Sequence, residues 1–152
     1  MPQVASPALV KQWYAEIGKH CYIDNTHKYG LGGILQYRSG TKPIFSNVAQ
    51  MILDSDIVLT TYHEVLRSFP MAEPPGEITD SVEKEVWLKN NFEENKGLLH
   101  SLKFHRVVLD EAQAIKNFKS RTSLACRALR ATHYWALTGT PVVRKVTCTK
   151  MA

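Results

Sequence analysis

Apolar runs that end in polar turns alternate along this chain with segments whose apolar residues recur at helical spacing. The apolar runs predict strands at Met1–Ala5, Ile34–Tyr37, Ile57–Leu59, Arg106–Leu109 and Tyr134–Leu137. The periodic segments predict helices at Leu9–Ile17, Asn47–Leu53, Tyr62–Phe69, Val82–Asn90 and Ser120–Arg130. Strands that alternate with helices are typical of an α/β fold with a mostly parallel sheet.

The first predicted helix carries an apolar face that we expect to pack on the sheet, because its apolar residues fall at i, i+4 spacing. These residues are Leu9, Trp13 and Ile17, with Val10 and Tyr14 beside them. Ser6 is expected to cap the helix, and Pro7 suits its first position, where no amide donor is needed.

The last predicted helix and strand are both expected to contribute to the core. In Ser120–Arg130 the apolar residues at helical spacing are Leu124, Ala125, Ala128 and Leu129. Tyr134–Leu137 is predicted to be a second buried strand after Arg106–Leu109. By contrast, Val82–Asn90 is predicted to be a surface helix anchored by Val86 and Trp87.

Two adjacent carboxylates, Asp110 and Glu111, directly follow the predicted strand Arg106–Leu109, and the next strand ends in the polar turn Thr138–Pro141. Ligands bind at the carboxyl ends of neighbouring strands in open α/β sheets, so we expect the two turns to lie side by side. A carboxylate after a buried strand holds Mg²⁺ in nucleoside triphosphatases, while a second acid orients the attacking water. The alternative is that the acidic pair simply caps the next helix.

Four stretches, in order, resemble motifs of the Swi/Snf-like family of superfamily-two helicase-related ATPases, the DNA translocases of chromatin remodelling and repair. VVLDEAQAIKN followed by ALTGTP is similar to motifs II and III, SPALVKQWYAEIGKH resembles motif Ia, and DIVLTTYHEVLR resembles motif Ib. Gln113 stands where the broader family more often has His, and this DEAQ variant favours the repair-type ring-finger remodellers. The RNA-helicase branch is less favoured because it expects an alanine diad or a Ser-Ala-Thr turn where Leu137–Thr140 stands.

This resemblance implies a three-layer RecA-like lobe, the fold of P-loop NTPases, with ATP and Mg²⁺ as cofactors. It implies that Asp110 binds Mg²⁺ through water and that Glu111 is the catalytic base that positions the attacking water. The residues implied to couple the nucleotide state to lobe closure and DNA grip are Gln113, Thr138, Gly139 and Thr140.

The partner implied by the resemblance is double-stranded DNA or the nucleosome. Ser6 and Lys11, at the start of the first helix, would contact a phosphate of the tracked strand. Thr60 and Thr61 place two hydroxyls at a helix N-terminus, where unpaired amides favour phosphate. Two plainer interpretations stay open: an ordinary capped helix with a solvated lysine, and threonines that merely end a strand.

Composition agrees with one globular domain in a reducing compartment. The chain has 152 residues and 44% hydrophobic content, enough for a single core. Its formal net charge of +5 is compatible with a polyanionic partner. The three cysteines, Cys21, Cys126 and Cys148, form neither a disulfide framework nor a zinc pattern, and His20, Cys21 and His27 lack further ligands.

The 152 residues contain no Gly-x-x-x-x-Gly-Lys-Ser/Thr loop, the phosphate cradle that precedes motif Ia in the family. Tyr29–Gly33 is rich in glycine, but it lacks the Lys-Ser/Thr ending. We therefore expect residues 1–141 to be a piece of lobe one, incomplete at its N-terminus, with the second RecA-like lobe missing. Residues 142–152 depart from the family pattern and are expected to be an aberrant or disordered tail.

These features predict a fragment of a nuclear, ATP-dependent translocase on double-stranded DNA that hydrolyses ATP negligibly by itself. Phosphoryl transfer is catalysed by positioning and charge neutralisation, and two of the main charged groups are absent from the chain. Two alternatives remain: a non-catalytic module that binds DNA or a partner, and a non-functional gene fragment. No membrane segment is expected, because no apolar run approaches about 18 residues.

Overall fold

The computed structural model describes residues 2–21, 33–40 and 47–140. Its strands are β1 (Pro2–Ala5), β2 (Ile34–Gln36), β3 (Ile57–Thr61), β4 (Lys103–Leu109) and β5 (Arg130–Ala136). Its helices are α1 (Pro7–His20), α2 (Val48–Asp54), α3 (Tyr62–Arg67), α4 (Ser81–Asn95), α5 (Leu98–Ser101) and α6 (Arg121–Ala128), with a 3₁₀ turn at Ala112–Ile115. The predicted strands and helices are therefore present, with shifted bounds.

In the described part of the chain, the strands form one parallel sheet in the order β2-β3-β1-β4-β5. The first strand of the sequence lies in the centre, where Gln3 is in register with Leu59 on one side and Val108 on the other. Every strand points the same way, so the ends of β1, β3, β4 and β5 face one edge. The predicted α/β fold with a mostly parallel sheet is confirmed.

Two apolar clusters cover the two faces of the sheet and make the fold three-layered. Side chains alternate along a strand, so Val4 and Val58 join the cluster that contains α3, α5 and α6. Their neighbours Ala5 and Leu59 join the opposite cluster, which α1 covers. The three-layer RecA-like arrangement expected from the sequence accounts for both clusters.

Helix α1 packs on the sheet as predicted, with Val10 and Ile17 buried and Trp13 half-buried. Tyr14, at 47% exposure, instead lies towards solvent. Ser6 takes the extended conformation of a capping residue, and its carbonyl accepts from the amide of Val10. Its side chain makes no capping hydrogen bond, so the capping prediction holds for the backbone alone.

The predicted inward face of α6 was wrong at Leu124, which is 41% exposed. The residues that face the core are Ser123, Ala125 and Cys126. Helix α6 packs against α3, and small side chains let the two helices approach closely. The periodicity included the bulky leucine, whereas the buried positions within α6 are occupied by small side chains.

The prediction that Tyr134–Leu137 is a buried strand was also wrong. Strand β5 lies at an edge of the described sheet and pairs there with β4. Tyr134 is 50% and Trp135 52% exposed. Local contacts hold both rings: the Tyr134 hydroxyl donates to the carbonyl of Leu129 at 2.6 Å, and the Arg106 guanidinium lies 4.3 Å from the Trp135 ring centre.

Helix α4 is a surface helix with no buried residue, as expected, and Asp80 caps it through the amides of Val82 and Glu83. Val86 is 53% exposed, so its predicted anchoring role is wrong. No helix in the described ranges has the length and apolar character needed to cross a bilayer. Three features of the sequence analysis lie outside the described residues: His27, residues 29–32 of the glycine-rich loop, and the tail 142–152, which includes Cys148.

Candidate active site at the carboxyl edge of the sheet

The two polar turns meet at the carboxyl edge of the sheet, as the sequence predicted. The amide of Asp110 donates to the carbonyl of Val4 in the central strand at 2.8 Å. The amide of Leu137 donates to the carbonyl of Leu109, and that of Ala112 donates back to Leu137, each at 2.8 Å. Backbone hydrogen bonds therefore tie the acidic turn to β1 on one side and to the turn after β5 on the other.

Three donors hold Asp110. The Trp13 indole Nε1–H donates to its Oδ2 at 2.6 Å, and the amide of Glu111 donates to its Oδ1 at 2.9 Å. The hydroxyl of Tyr62 donates to its backbone carbonyl at 2.7 Å. The two N–H donors fix the orientation of the carboxylate, and the Tyr62 hydroxyl fixes the backbone behind it.

Glu111 has a left-handed backbone, with φ 52° and ψ 49°. Within the described ranges it is the one residue other than glycine whose φ is positive. This conformation costs on the order of 1–3 kcal/mol and persists where surrounding contacts enforce it. Neither carboxylate accepts from a backbone amide of the 3₁₀ turn, so helix capping does not explain the acidic pair.

A chain of side-chain hydrogen bonds links the acidic turn to the turn after β5. The Gln113 amide nitrogen donates to Glu111 Oε2, and the Thr138 hydroxyl donates to Gln113 Oε1 at 2.8 Å. The amide of Thr140 in turn donates to Thr138 Oγ1 at 3.2 Å. Gly139 is exposed, and a Cβ there would meet nothing within 4 Å. The structure thus joins the predicted base to three of the four predicted coupling residues, Gln113, Thr138 and Thr140.

The donor set of the acidic turn fits Mg²⁺. Asp110 and Glu111 are half-buried, and within residues 2–21, 33–40 and 47–140 neither forms an ion pair. The same ranges contain no group of three or more acidic, His or Cys side chains that could hold a metal by themselves. Mg²⁺ is commonly held by one or two carboxylates, with waters and substrate phosphates as its other ligands. Two carboxylate side chains therefore suffice.

Two groups behind the acidic turn stay protonated at neutral pH. Burial raises the pKa of the Tyr62 hydroxyl, with Cys126 and both carboxylates of the turn acting in the same direction. Burial also raises the pKa of the Cys126 thiol to about 12. Tyr62 is therefore a permanent donor to Asp110, while Cys126 packs in the core as a neutral thiol.

The predicted DNA-contacting residues lie at the same edge but differ in exposure. Ser6 is half-buried and Lys11 is exposed on α1. Thr60 and Thr61 end β3 and are 2% and 8% exposed. Thr60 already donates its hydroxyl hydrogen to the carbonyl of Tyr37 at 3.2 Å, whereas Thr61 only accepts, from the amide of Glu64 at 3.3 Å. Thr61 keeps a hydrogen to donate, so it is the better candidate of the two.

Sequence reasoning missed the roles of Trp13 and Tyr62 at this site. Trp13 was assigned to the packing face of α1, and Tyr62 to the start of a helix. The available signal was that a partly buried indole N–H or phenol requires a hydrogen-bond partner. Its partner could not be found without the fold, because 97 residues separate Trp13 from Asp110 and 48 separate Tyr62 from it.

Comparison with known proteins assigns a family to this arrangement. The family model described as the SNF2-related domain matches residues 4–148. The chain belongs to the SNF2-related domain family. The DNA repair protein RAD5 of Gibberella zeae is 35% identical over 145 residues, and the DNA repair protein RAD5A of Arabidopsis thaliana is 32% identical over 139 residues. This is the Swi/Snf-like family expected from the sequence, and both of these relatives are named as DNA repair proteins.

This SNF2-related chain spans only part of its relatives. The alignments cover 94% and 91% of the chain but 11% of each of the two RAD5 proteins. A solved structure, the Sulfolobus solfataricus SWI2/SNF2 ATPase core in complex with dsDNA, matches 95% of this chain and 22% of its own. The TM-score is 0.56 and the sequence identity is 22%, a likeness in fold.

Proposed function

We propose that this chain carries first-lobe motifs of an ATP-dependent translocase on double-stranded DNA that works in the nucleus, in DNA repair or chromatin remodelling. The observation that carries the proposal is the hydrogen-bonded line Thr138–Gln113–Glu111 beside Asp110. Membership of the SNF2-related family, relatives named as DNA repair proteins, and a fold neighbour solved with dsDNA support it. DNA or the nucleosome is the proposed partner.

In this proposal the acidic turn performs the phosphoryl-transfer chemistry. Mg²⁺, when bound with ATP, would neutralise charge on the phosphates. Asp110 would hold the ion through water, and the donors Trp13 Nε1–H and Glu111 N–H fix the orientation of its carboxylate. Glu111, which accepts from the Gln113 side chain, acts as the base that positions the attacking water.

Gln113, with the turn after β5, couples the nucleotide to DNA grip. Gln113 uses both ends of its amide: the nitrogen donates to Glu111 and the oxygen accepts from Thr138. A shift of Glu111 during the reaction therefore displaces Thr138. Thr140 moves with it through its amide, and the exposed Gly139 between them offers no side chain to resist the change.

DNA contact is assigned to the starts of α1 and α3. The Ser6 hydroxyl makes no capping bond and is free to bind a phosphate, and the exposed Lys11 supplies charge five residues later. Thr61 adds a third contact, while Thr60 is too buried to contribute without rearrangement. The net charge of +5 favours such a polyanionic partner.

The 152 residues by themselves are proposed to bind DNA without turning over ATP at a useful rate. They include no Gly-Lys-Ser/Thr phosphate loop and no arginine finger from a second lobe. Positioning and charge neutralisation supply most of the rate of phosphoryl transfer, so removing these groups removes most of the catalysis.

The proposal is tested by binding a fluorescently labelled 20-base-pair duplex to the purified chain at several salt concentrations. We expect the affinity to fall steeply with salt, with a log–log slope of about −0.9 for each phosphate contacted. Lys11→Ala should reduce the slope by about 1 unit. Lys84→Ala, which removes an exposed lysine of α4, is the matched control and should leave the slope unchanged.

Two results would contradict the proposal in different ways. Salt-independent or absent DNA binding would reject the DNA role and favour the non-functional fragment. DNA-stimulated ATP turnover that disappears in Glu111→Gln would reject the inactivity of the isolated chain while supporting the role of Glu111.

A further inference from the structure

Two long-range hydrogen bonds reach Asp110 from the two elements that carry the candidate DNA contacts. The first comes from the Trp13 indole in α1 to Oδ2 at 2.6 Å. The second comes from the Tyr62 hydroxyl in α3 to the backbone carbonyl at 2.7 Å. Two elements, separate in sequence, thus converge on one residue of the acidic turn.

Short, rigid lengths of chain separate each donor from the nearest candidate DNA contact. Trp13 lies seven residues after Ser6 in one continuous helix, a rise of about 10 Å. Because seven residues make almost two full turns, Trp13 and Ser6 are on the same side of α1. Tyr62 directly follows Thr61. A movement at either contact is therefore passed to Asp110 through helical backbone.

We propose that Trp13 and Tyr62 are positioning residues that link DNA binding at the starts of α1 and α3 to the placement of the Asp110 carboxylate. This inference rests on the proposed function, since it gives the DNA and metal sites a physical connection. Neither side chain touches DNA or metal. Each acts through Asp110, Trp13 on its side chain and Tyr62 on its backbone.

The geometry suits this role. An N–H donor to a carboxylate forms a charge-assisted bond, which is stronger and more directional than a neutral one. It fixes Oδ2, while the amide of Glu111 fixes Oδ1. A carboxylate can accept about four hydrogen bonds, so metal-bound water still finds acceptor sites on both oxygens. Losing the Trp13 bond would leave the Asp110 carboxylate held by the Glu111 amide alone, and losing the Tyr62 bond would release its backbone carbonyl.

The proposal is tested by linkage between metal and DNA, with Mn²⁺ as the probe in place of Mg²⁺. DNA affinity of the full chain is measured by anisotropy with and without Mn²⁺ at constant ionic strength. If DNA binding changes the affinity of the Asp110 site for Mn²⁺ by some factor, Mn²⁺ must change the affinity for DNA by the same factor, because coupling is reciprocal. We expect a factor of about 5 or more in the wild type. The same measurement on Asp110→Asn gives the change in DNA affinity that comes from Mn²⁺ binding to the DNA itself.

Conservative variants separate positioning from folding. Trp13→Phe and Tyr62→Phe should bind DNA, but Mn²⁺ should change their DNA affinity only as much as it does for Asp110→Asn. Trp87→Phe in α4 and Tyr14→Phe on the exposed side of α1 are matched controls and should keep the wild-type factor. Urea unfolding of each variant checks that it is folded. Tyr62→Phe tests the proposal even if Trp13→Phe fails to fold.

A direct observation of the bond uses the ¹⁵N-labelled indole groups, assigned with the Trp13→Phe, Trp87→Phe and Trp135→Phe variants. The Trp13 signal should lie downfield of the other two and should move on addition of duplex DNA and in Asp110→Asn. The inference would be overturned, but not the proposed DNA role, if DNA binds without moving the Trp13 signal and Mn²⁺ changes the DNA affinity of the wild type no more than that of Asp110→Asn. Absence of DNA binding would refute the proposed function, and the inference with it.

Discussion

Gly97 offers a sharp test of the core, because its backbone lies against that of Ser68. The amide of Gly97 donates to the carbonyl of Ser68 at 2.8 Å. A Cβ on Gly97 would lie 2.8 Å from Ser68 Oγ and 2.9 Å from Ser68 Cα. The second contact is with backbone, so rotating the serine side chain cannot relieve it. Gly97→Ala must push the start of α5 away from the end of α3.

The expected cost has two parts. Forcing a methyl group into a packed site costs about 1–3 kcal/mol. The same shift strains the hydrogen bond between Ser68 Oγ and His100 Nδ1, which is 3.0 Å long and buried, and a buried hydrogen bond contributes about 1 kcal/mol. We therefore expect Gly97→Ala to lower the free energy of unfolding by about 2–4 kcal/mol. For a chain of this size, Tm should fall by about 5–15 °C.

Urea unfolding followed by circular dichroism measures this change, and Gly18→Ala is the control. Gly18 lies inside α1, where an added Cβ meets nothing within 4 Å. Replacing glycine with alanine in a helix should stabilise the protein by about 0.5–1 kcal/mol. The two glycine-to-alanine changes should thus have opposite signs. A Gly97→Ala protein as stable as the wild type would refute the close approach of α5 to Ser68.

Two further predictions concern pH and self-association. His100 is buried, its Nε2–H donates to the Ala125 carbonyl at 2.9 Å, and burial lowers its pKa below 6.5. As the pH drops below about 6.5, the imidazole becomes protonated in the unfolded chain before it does in the folded one, so the free energy of unfolding should fall. Urea titrations at several pH values should show a smaller fall in His100→Gln. The exposed edge strand β5 should pair with β5 of a second copy of the chain. Thr132→Lys should therefore reduce self-association measured by sedimentation velocity, whereas the control Asn90→Lys on α4 should not.

Much of the fold could be predicted because local patterns and tertiary environment agree. The run Ile57–Leu59 is apolar throughout, as a strand covered on both faces must be, and it forms β3. The i, i+4 pattern of α1 likewise gave the correct packing face at Val10 and Ile17. At these positions, the side chains that favour burial are the ones the fold buries.

The errors occurred where the fold overrides side-chain character. Tyr134 and Trp135 are large and apolar, yet β5 lies at the sheet edge and leaves them half-exposed. Leu124 is 41% exposed, while its small neighbours Ser123, Ala125 and Cys126 face the core. A sequence pattern records what a side chain favours but not which strand lies next to it, so edge position and helix spacing could not be predicted.

The candidate site was only partly predictable for a related reason. Its residues were identified from the spacing within single turns, but its hydrogen bonds join segments 48 and 97 residues apart. Such a site forms only when the whole sheet forms, so its geometry is as stable as the fold. Gly97→Ala should therefore lower the free energy of unfolding without changing the Asp110 site in the molecules that remain folded. Trp13→Phe should instead change the Asp110 site in the folded molecules, since it removes a donor to the Asp110 carboxylate.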